Sequence, residues 1–89
     1  MRVASTWPVP GLGLLALPAG PTPGLGPYYL HTALAVLAIE PDGTRHAGTA
    51  TVEEITPDSL GIPVRGLLLD FDGPATLLPA TEIWLTESM

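Results

Sequence analysis

The chain has no cysteine, and it also has no lysine, asparagine or glutamine anywhere in its 89 residues. Without thiols there is no disulfide framework, no thiolate metal site and no cysteine nucleophile. The absence of lysine beside abundant Ala, Gly, Pro and Leu is what GC-rich coding produces, and it leaves a surface short of long charged side chains. Cations are scarce too: Arg2, Arg45 and Arg65 stand against nine carboxylates, for a net charge of −6. Neutralising a phosphate backbone or an anionic membrane takes several Lys or Arg contacts, so neither nucleic acid nor a membrane surface is an expected partner. An acidic body suits solubility or a basic protein partner instead.

Long apolar runs are missing as well. From Val3 to Ile39 no residue carries a formal charge, but Pro8, Pro10, Pro18, Pro21, Pro23 and Pro27 interrupt the stretch. It never approaches the ~20 apolar residues of a membrane span. Arg2 ahead of the apolar 11–17 run has the outline of a leader peptide. That run is broken by glycine and followed by Pro18 rather than a small-residue cleavage site, so a mature strand and a cytoplasmic protein are the expectation. Metal ligation has only His31 and His46 for imidazoles, and no cofactor is expected. Ser5, Ser59 and Ser88 lie outside any Gly-x-Ser-x-Gly elbow, which sets hydrolytic triads aside.

What remains is proline, glycine and short apolar runs. The 11 prolines and 10 glycines fall between those runs without a repeat, a pattern of strands joined by turns. A strand is expected from Val9 to Pro18, followed by a stiff loop over Ala19–Pro27 that crosses the outside of the body. Glu40-Pro41-Asp42-Gly43-Thr44 between apolar runs predicts a β-hairpin from Leu30 to Ile55. A helix over 28–39 is the competing reading, because Leu30, Ala33, Leu34, Leu37 and Ala38 share a helical face. A turn cluster spans 56–63. Arg65, Leu67, Leu69 and Phe71 then alternate with Gly66, Leu68, Asp70 and Asp72 along a further strand. In a last strand, Thr81–Thr86, Ile83 and Leu85 point inward while Glu82, Trp84 and Thr86 point outward. The expected fold is all-β, a single domain over residues 1–89. It is a small five- or six-stranded barrel of SH3-like or elongation-factor-like type, with the Pro/Gly-rich segment 1–27 packed on it. The alternative is α+β with the helix at 28–39.

Three motifs carry suggestions of chemistry. Gly66-Leu67-Leu68-Leu69-Asp70-Phe71-Asp72-Gly73 resembles the first motif of the haloacid-dehalogenase phosphatases, in which the two aspartates act as nucleophile and acid/base beside Mg²⁺. Pro74 departs from the family's Thr or Val, little chain follows, and the family's lysine has no counterpart. The string is therefore read as a strand entering a turn, with Asp70 and Asp72 in solvent. The same pair fails as a calcium loop, because the third oxygen is missing and Thr81 stands where the closing Glu belongs. Gly48-Thr49-Ala50-Thr51-Val52-Glu53-Glu54-Ile55-Thr56 resembles the centre of PilZ domains, barrels that bind cyclic di-GMP. The arginine pair that would meet its phosphates is absent, so the resemblance implies at most a barrel. His31 and His46 flank the expected hairpin and could meet across it, although two exposed strand histidines are the commoner outcome. Glu53-Glu54 reads as a strand end in water.

The mean hydropathy of +0.38 leaves apolar surface to spare. Trp84, facing outward, is the candidate contact unless the proline-rich arm covers it. The expectation is a non-catalytic protein-interaction or self-assembly module, a homo-oligomer or the acidic partner of another protein. A small-ligand or nucleotide-binding barrel is the alternative.

Overall fold

The computed structural model describes residues 1–56, 63–71 and 77–86. Six antiparallel strands form one sheet: β1 Val3–Val9, β2 Gly13–Pro18, β3 Ala33–Ile39, β4 Arg45–Ile55, β5 Val64–Asp70 and β6 Glu82–Thr86. Their spatial order is β1-β2-β5-β4-β3-β6. The protein is all-β, and residues 33–39 are strand, not helix. β-branched Val36 and Ile39 fit a pleated surface, and the hairpin turn that follows fixes their pairing. That turn closes with Glu40 and Thr44: the Glu40 N–H donates to Thr44 at 2.8 Å and the Gly43 N–H to Glu40 at 2.8 Å. Gly43, at φ 92°, supplies the left-handed residue the turn requires.

Two expectations need correction near the N-terminus. The anticipated single strand over Val9–Pro18 is instead the second arm of a hairpin. Val3–Val9 pairs with Gly13–Pro18 around Pro10-Gly11-Leu12, where Gly11 at φ 79° turns the chain. The composition of residues 1–27 predicts a Pro/Gly-rich segment packed on the barrel, but Pro8 sits on an edge strand, where a missing N–H breaks no ladder. Pairing thus makes residues 3–18 part of the sheet itself. Nor does Ala19–Pro27 merely cross the outside. Its short 3-10 turn, Pro23–Leu25, drops Leu25 into the core at 4% exposure. Arg65 anchors that loop, its Nη1 donating to the Tyr28 carbonyl at 2.9 Å, and the Thr22 hydroxyl donates to the Arg65 carbonyl at 2.8 Å.

One face of the sheet carries the core. Cross-strand register aligns Ala16, Leu67 and Val52 in one buried row and Leu14, Leu69 and Ala50 in the next. Val3, Val36, Ala38, Leu77 and Ile83 complete the interior with Leu25. The opposite face has its own uncharged row, Trp7–Leu15–Leu68–Thr51–Ala33. The sheet's two edges meet at one end only. Arg2 bridges Glu82, the Ile83 N–H donates to Met1 at 2.7 Å and the Val3 N–H donates to Thr81 at 2.9 Å. Beyond that contact β1 and β6 do not pair, so the sheet is not closed along its length. Among the described residues no helix is long and apolar enough to cross a membrane.

Candidate functional site

Trp84 lies on β6, opposite Leu37 of β3 and next to Glu82 and Thr86 on the outer face. The indole is 60% exposed, so no N-terminal arm covers it. Ile83 is buried as its inward register requires, yet Leu85 remains 38% exposed although it pairs with buried Val36 on that face. A cavity of about 250 Å³ accounts for this. It opens beside Trp84 and Leu85 and is walled by Met1, Leu25, Leu67 and Ile83. Leu85 and Trp84 thus form the lip of an apolar opening where β6 lacks a neighbour.

A second apolar site centres on Trp7, which is 66% exposed on edge strand β1. Its ring lines a groove of about 550 Å³ together with Leu15, Leu17, Pro18, Ile55 and Val64. Reasoning from sequence missed this site, because the expected strand began only at Val9 and left Trp7 in the Pro/Gly-rich segment outside the sheet. The usable signal was alternation: Ser5, Trp7 and Val9 on one arm and Gly13, Leu15 and Leu17 on the other share a face once a turn is placed at Pro10-Gly11.

The two histidines do not meet. His46 pairs with Ala38 near the hairpin turn, whereas His31 lies beyond the other end of β3, roughly 20 Å away at ~3.3 Å per residue. Each has a carboxylate instead. His31 Nδ1 is 3.1 Å from Glu53 Oε2, which also accepts the Thr51 hydroxyl at 2.9 Å. Glu53 is therefore a half-buried acceptor rather than a strand end in water. His46 Nε2 is 3.1 Å from Glu40 Oε2, with both side chains largely covered, and Glu40 Oε1 accepts the Leu78 N–H at 3.2 Å. This pair ties the β3–β4 turn to the segment before β6. Phe71 packs over it, its ring centroid 6.1 Å from that of His46. In the turn itself, the Thr44 backbone N–H, 2.9 Å from Asp42 Oδ1, and the Thr44 hydroxyl hold the Asp42 carboxyl below its ordinary pKa.

Asp70 is exposed at the end of β5, and its Phe71 neighbour is half-buried against β4. Asp72, Gly73 and Pro74 of the phosphatase-like string lie outside the described residues, as do Asp58 and Ser59 of the turn cluster and Ser88. The PilZ-like stretch falls on β4, and of the three arginines only Arg45 belongs to that strand. Among the described residues no three His, Asp or Glu side chains gather as a metal site. The arrangement offers contact surface at both unpaired sheet edges, each marked by an open tryptophan. Comparison with models of protein families, with curated proteins and with solved structures found no match.

Proposed function

We propose that this chain is a non-catalytic protein-interaction or self-assembly module, acting in the cytoplasm, whose partner contact centres on Trp84. One observation carries the reading: an indole left 60% open on a terminal edge strand, at the lip of an apolar cavity. Covering that much of an aromatic side chain contributes about 2–4 kcal/mol, enough to anchor an interface. We read the sheet as a small barrel of SH3-like or elongation-factor-like type, supported by the contact of Met1–Val3 with residues 80–83. Nucleic acid and anionic membranes are not partners in this reading, because three arginines against nine carboxylates repel both.

Light scattering and native mass spectrometry on the wild-type chain and on Trp84→Ala test the proposal. Association above 9.2 kDa that Trp84→Ala removes, with the melt unchanged, supports it. Association indifferent to Trp84→Ala takes this residue out of the contact.

The cavity beside Trp84 favours a second reading, a small-ligand site. Its apolar walls and about 250 Å³ suit a small apolar group rather than a nucleotide. Concentration-dependent thermal stabilisation by such a compound would favour it.

A further inference from the structure

We infer that the outer edge of β1 is a self-complementary docking strip, where two copies of this chain pair antiparallel across a two-fold axis at Thr6, each Trp7 lying over the other's groove. The inference goes beyond the proposed function: the β1 contact is separate from Trp84, so replacing Trp84 removes only association beyond this dimer.

The backbone comes first. Val3 is bonded to Ala80 and Thr81, which fills the first part of the β1 edge. The register then slips between Val3 and Ser5, and this bulge reverses which residues face outward. At the far end the Val9 carbonyl accepts the Leu12 N–H inside the hairpin. Alternation therefore turns Val9, Trp7 and Ser5 toward β2, and Thr6 and Pro8 toward the open edge. Thr6 presents both N–H and C=O there, and Pro8 presents a carbonyl alone. A strand centred on Thr6 suits that row, because Thr6 opposes itself and the missing proline donor falls at the flank.

Side chains agree with that register. With Thr6 facing its counterpart, Trp7 stands opposite Ser5 of the partner subunit on the outer face, in the close, non-hydrogen-bonded position. Serine leaves the indole room to cross toward the groove that Leu15, Leu17, Ile55 and Val64 line. The contact is isologous, so one arrangement fills both grooves.

Charge selects a second copy over a basic partner. Every carboxylate in the chain lies at Glu40 or beyond, and from Val3 through β2 there is no charged residue. A basic protein would be drawn to the carboxylates elsewhere on the molecule, because none lines the Trp7 groove. Natural edge strands are commonly protected by lysine or another inward charge, and this one has neither, only Pro8 and the bulge after Val3. Another uncharged strand is what it matches, and each copy supplies one. Because two chains of net charge −6 repel, added salt must strengthen this association, opposite to the effect on an acidic–basic pair.

The test combines light scattering over a concentration series with residue-resolved amide exchange on the wild-type chain. A dimer favoured by salt, in which exchange of the Thr6 amide slows about tenfold or more as dimer replaces monomer, is the expected result. Trp7→Glu, folded by circular dichroism, should weaken that dimer about tenfold or more, while Trp84→Ala leaves it intact. A monomer at every concentration overturns the inference. A dimer with an unprotected Thr6 amide also overturns it, and if that dimer depends on Trp84 the proposed function survives without it.

Discussion

Replacing Gly48 with alanine measures how closely β4 and the end of β5 approach. Gly48 occupies the inner-face position between His46 and Ala50, and the Phe71 ring lies directly over it. A Cβ there would come 2.5 Å from the Asp70 carbonyl oxygen and 2.8 Å from Phe71 Cε1. The ring can swing aside. The carbonyl cannot, because Asp70 is held in register opposite Thr49. Overpacking of this kind costs about 1–3 kcal/mol. A chain of 89 residues, at ~0.05–0.15 kcal/mol each, holds about 4–13 kcal/mol in all, so the loss is a substantial share. With a urea slope of ~1–3 kcal/mol per molar, the midpoint should fall by about 0.3–3 M. Gly24→Ala is the matched control, since nothing lies within 4 Å of its added methyl, and its stability should stay within about 0.5 kcal/mol of wild type. Equal midpoints for Gly48→Ala and wild type would refute the close approach of β4 to Phe71.

Other substitutions probe other contacts. Ala80 holds φ 69° after Pro79 in a turn closed by the Thr81 N–H and hydroxyl on Leu78, so Ala80→Gly should raise stability by up to about 1 kcal/mol in a thermal or urea melt. Leu25→Ala removes the side chain that plugs the interior from the 19–32 loop and should cost about 2–4 kcal/mol, with faster amide exchange at Tyr28, whose N–H donates to the Leu25 carbonyl at 3.2 Å. Asp42, whose folded pKa is lowered by Thr44, contributes stability present above its unfolded pKa and lost as pH falls through the folded value. The stability advantage of wild type over Asp42→Ala should therefore shrink on acidification below the ordinary carboxylate range, and a constant difference down to about pH 2 would contradict the hydrogen bond.

Strand identity was legible wherever the local pattern was two-sided. Leu67 and Leu69 bury while Asp70 stays in water, as their alternation on β5 requires. Asp42-Gly43 marked the β3–β4 turn, and that turn decided residues 33–39 against the helix their leucines and alanines allow. At the N-terminus the pattern misled, because Pro8 and Pro10 carry a strong local preference for extended chain. Only the pairing of β1 with β2 shows that the preference was spent on an edge strand. Leu25 was illegible for a different reason. A lone leucine in a Pro/Gly loop has no periodicity, and its burial follows from a non-local contact, the hold of Arg65 on Tyr28. The histidines show the limit of counting along a hairpin: His31 and His46 flank it, but flanking residues on opposite ends of a strand are a strand length apart.

The tryptophans need the interior as part of their explanation. Cross-strand rows of Ala16, Leu67 and Val52, and of Leu14, Leu69 and Ala50, pack leucines against small partners. Ala38 and Val36 do the same against β6. A curved sheet lined this way takes two leucines from outside the strands, Leu25 and Leu77, and both indoles stay on its outer face. Exposure of Trp7 and Trp84 is thus partly a consequence of a thin core, and exposure alone would be a weak argument for binding. Position adds the stronger argument. Among the described residues, both sit at outer-face positions of the two strands with an unpaired edge, beside a groove or a cavity lined with aliphatic side chains. An edge strand presents unsatisfied backbone groups, and an aromatic beside it offers area to whatever satisfies them. At β6 the contact with Met1 already meets part of that demand, whereas at β1 it stops at Val3. The longer unmet edge lies on the uncharged half of the chain, and there a second strand gains hydrogen bonds and indole contact together.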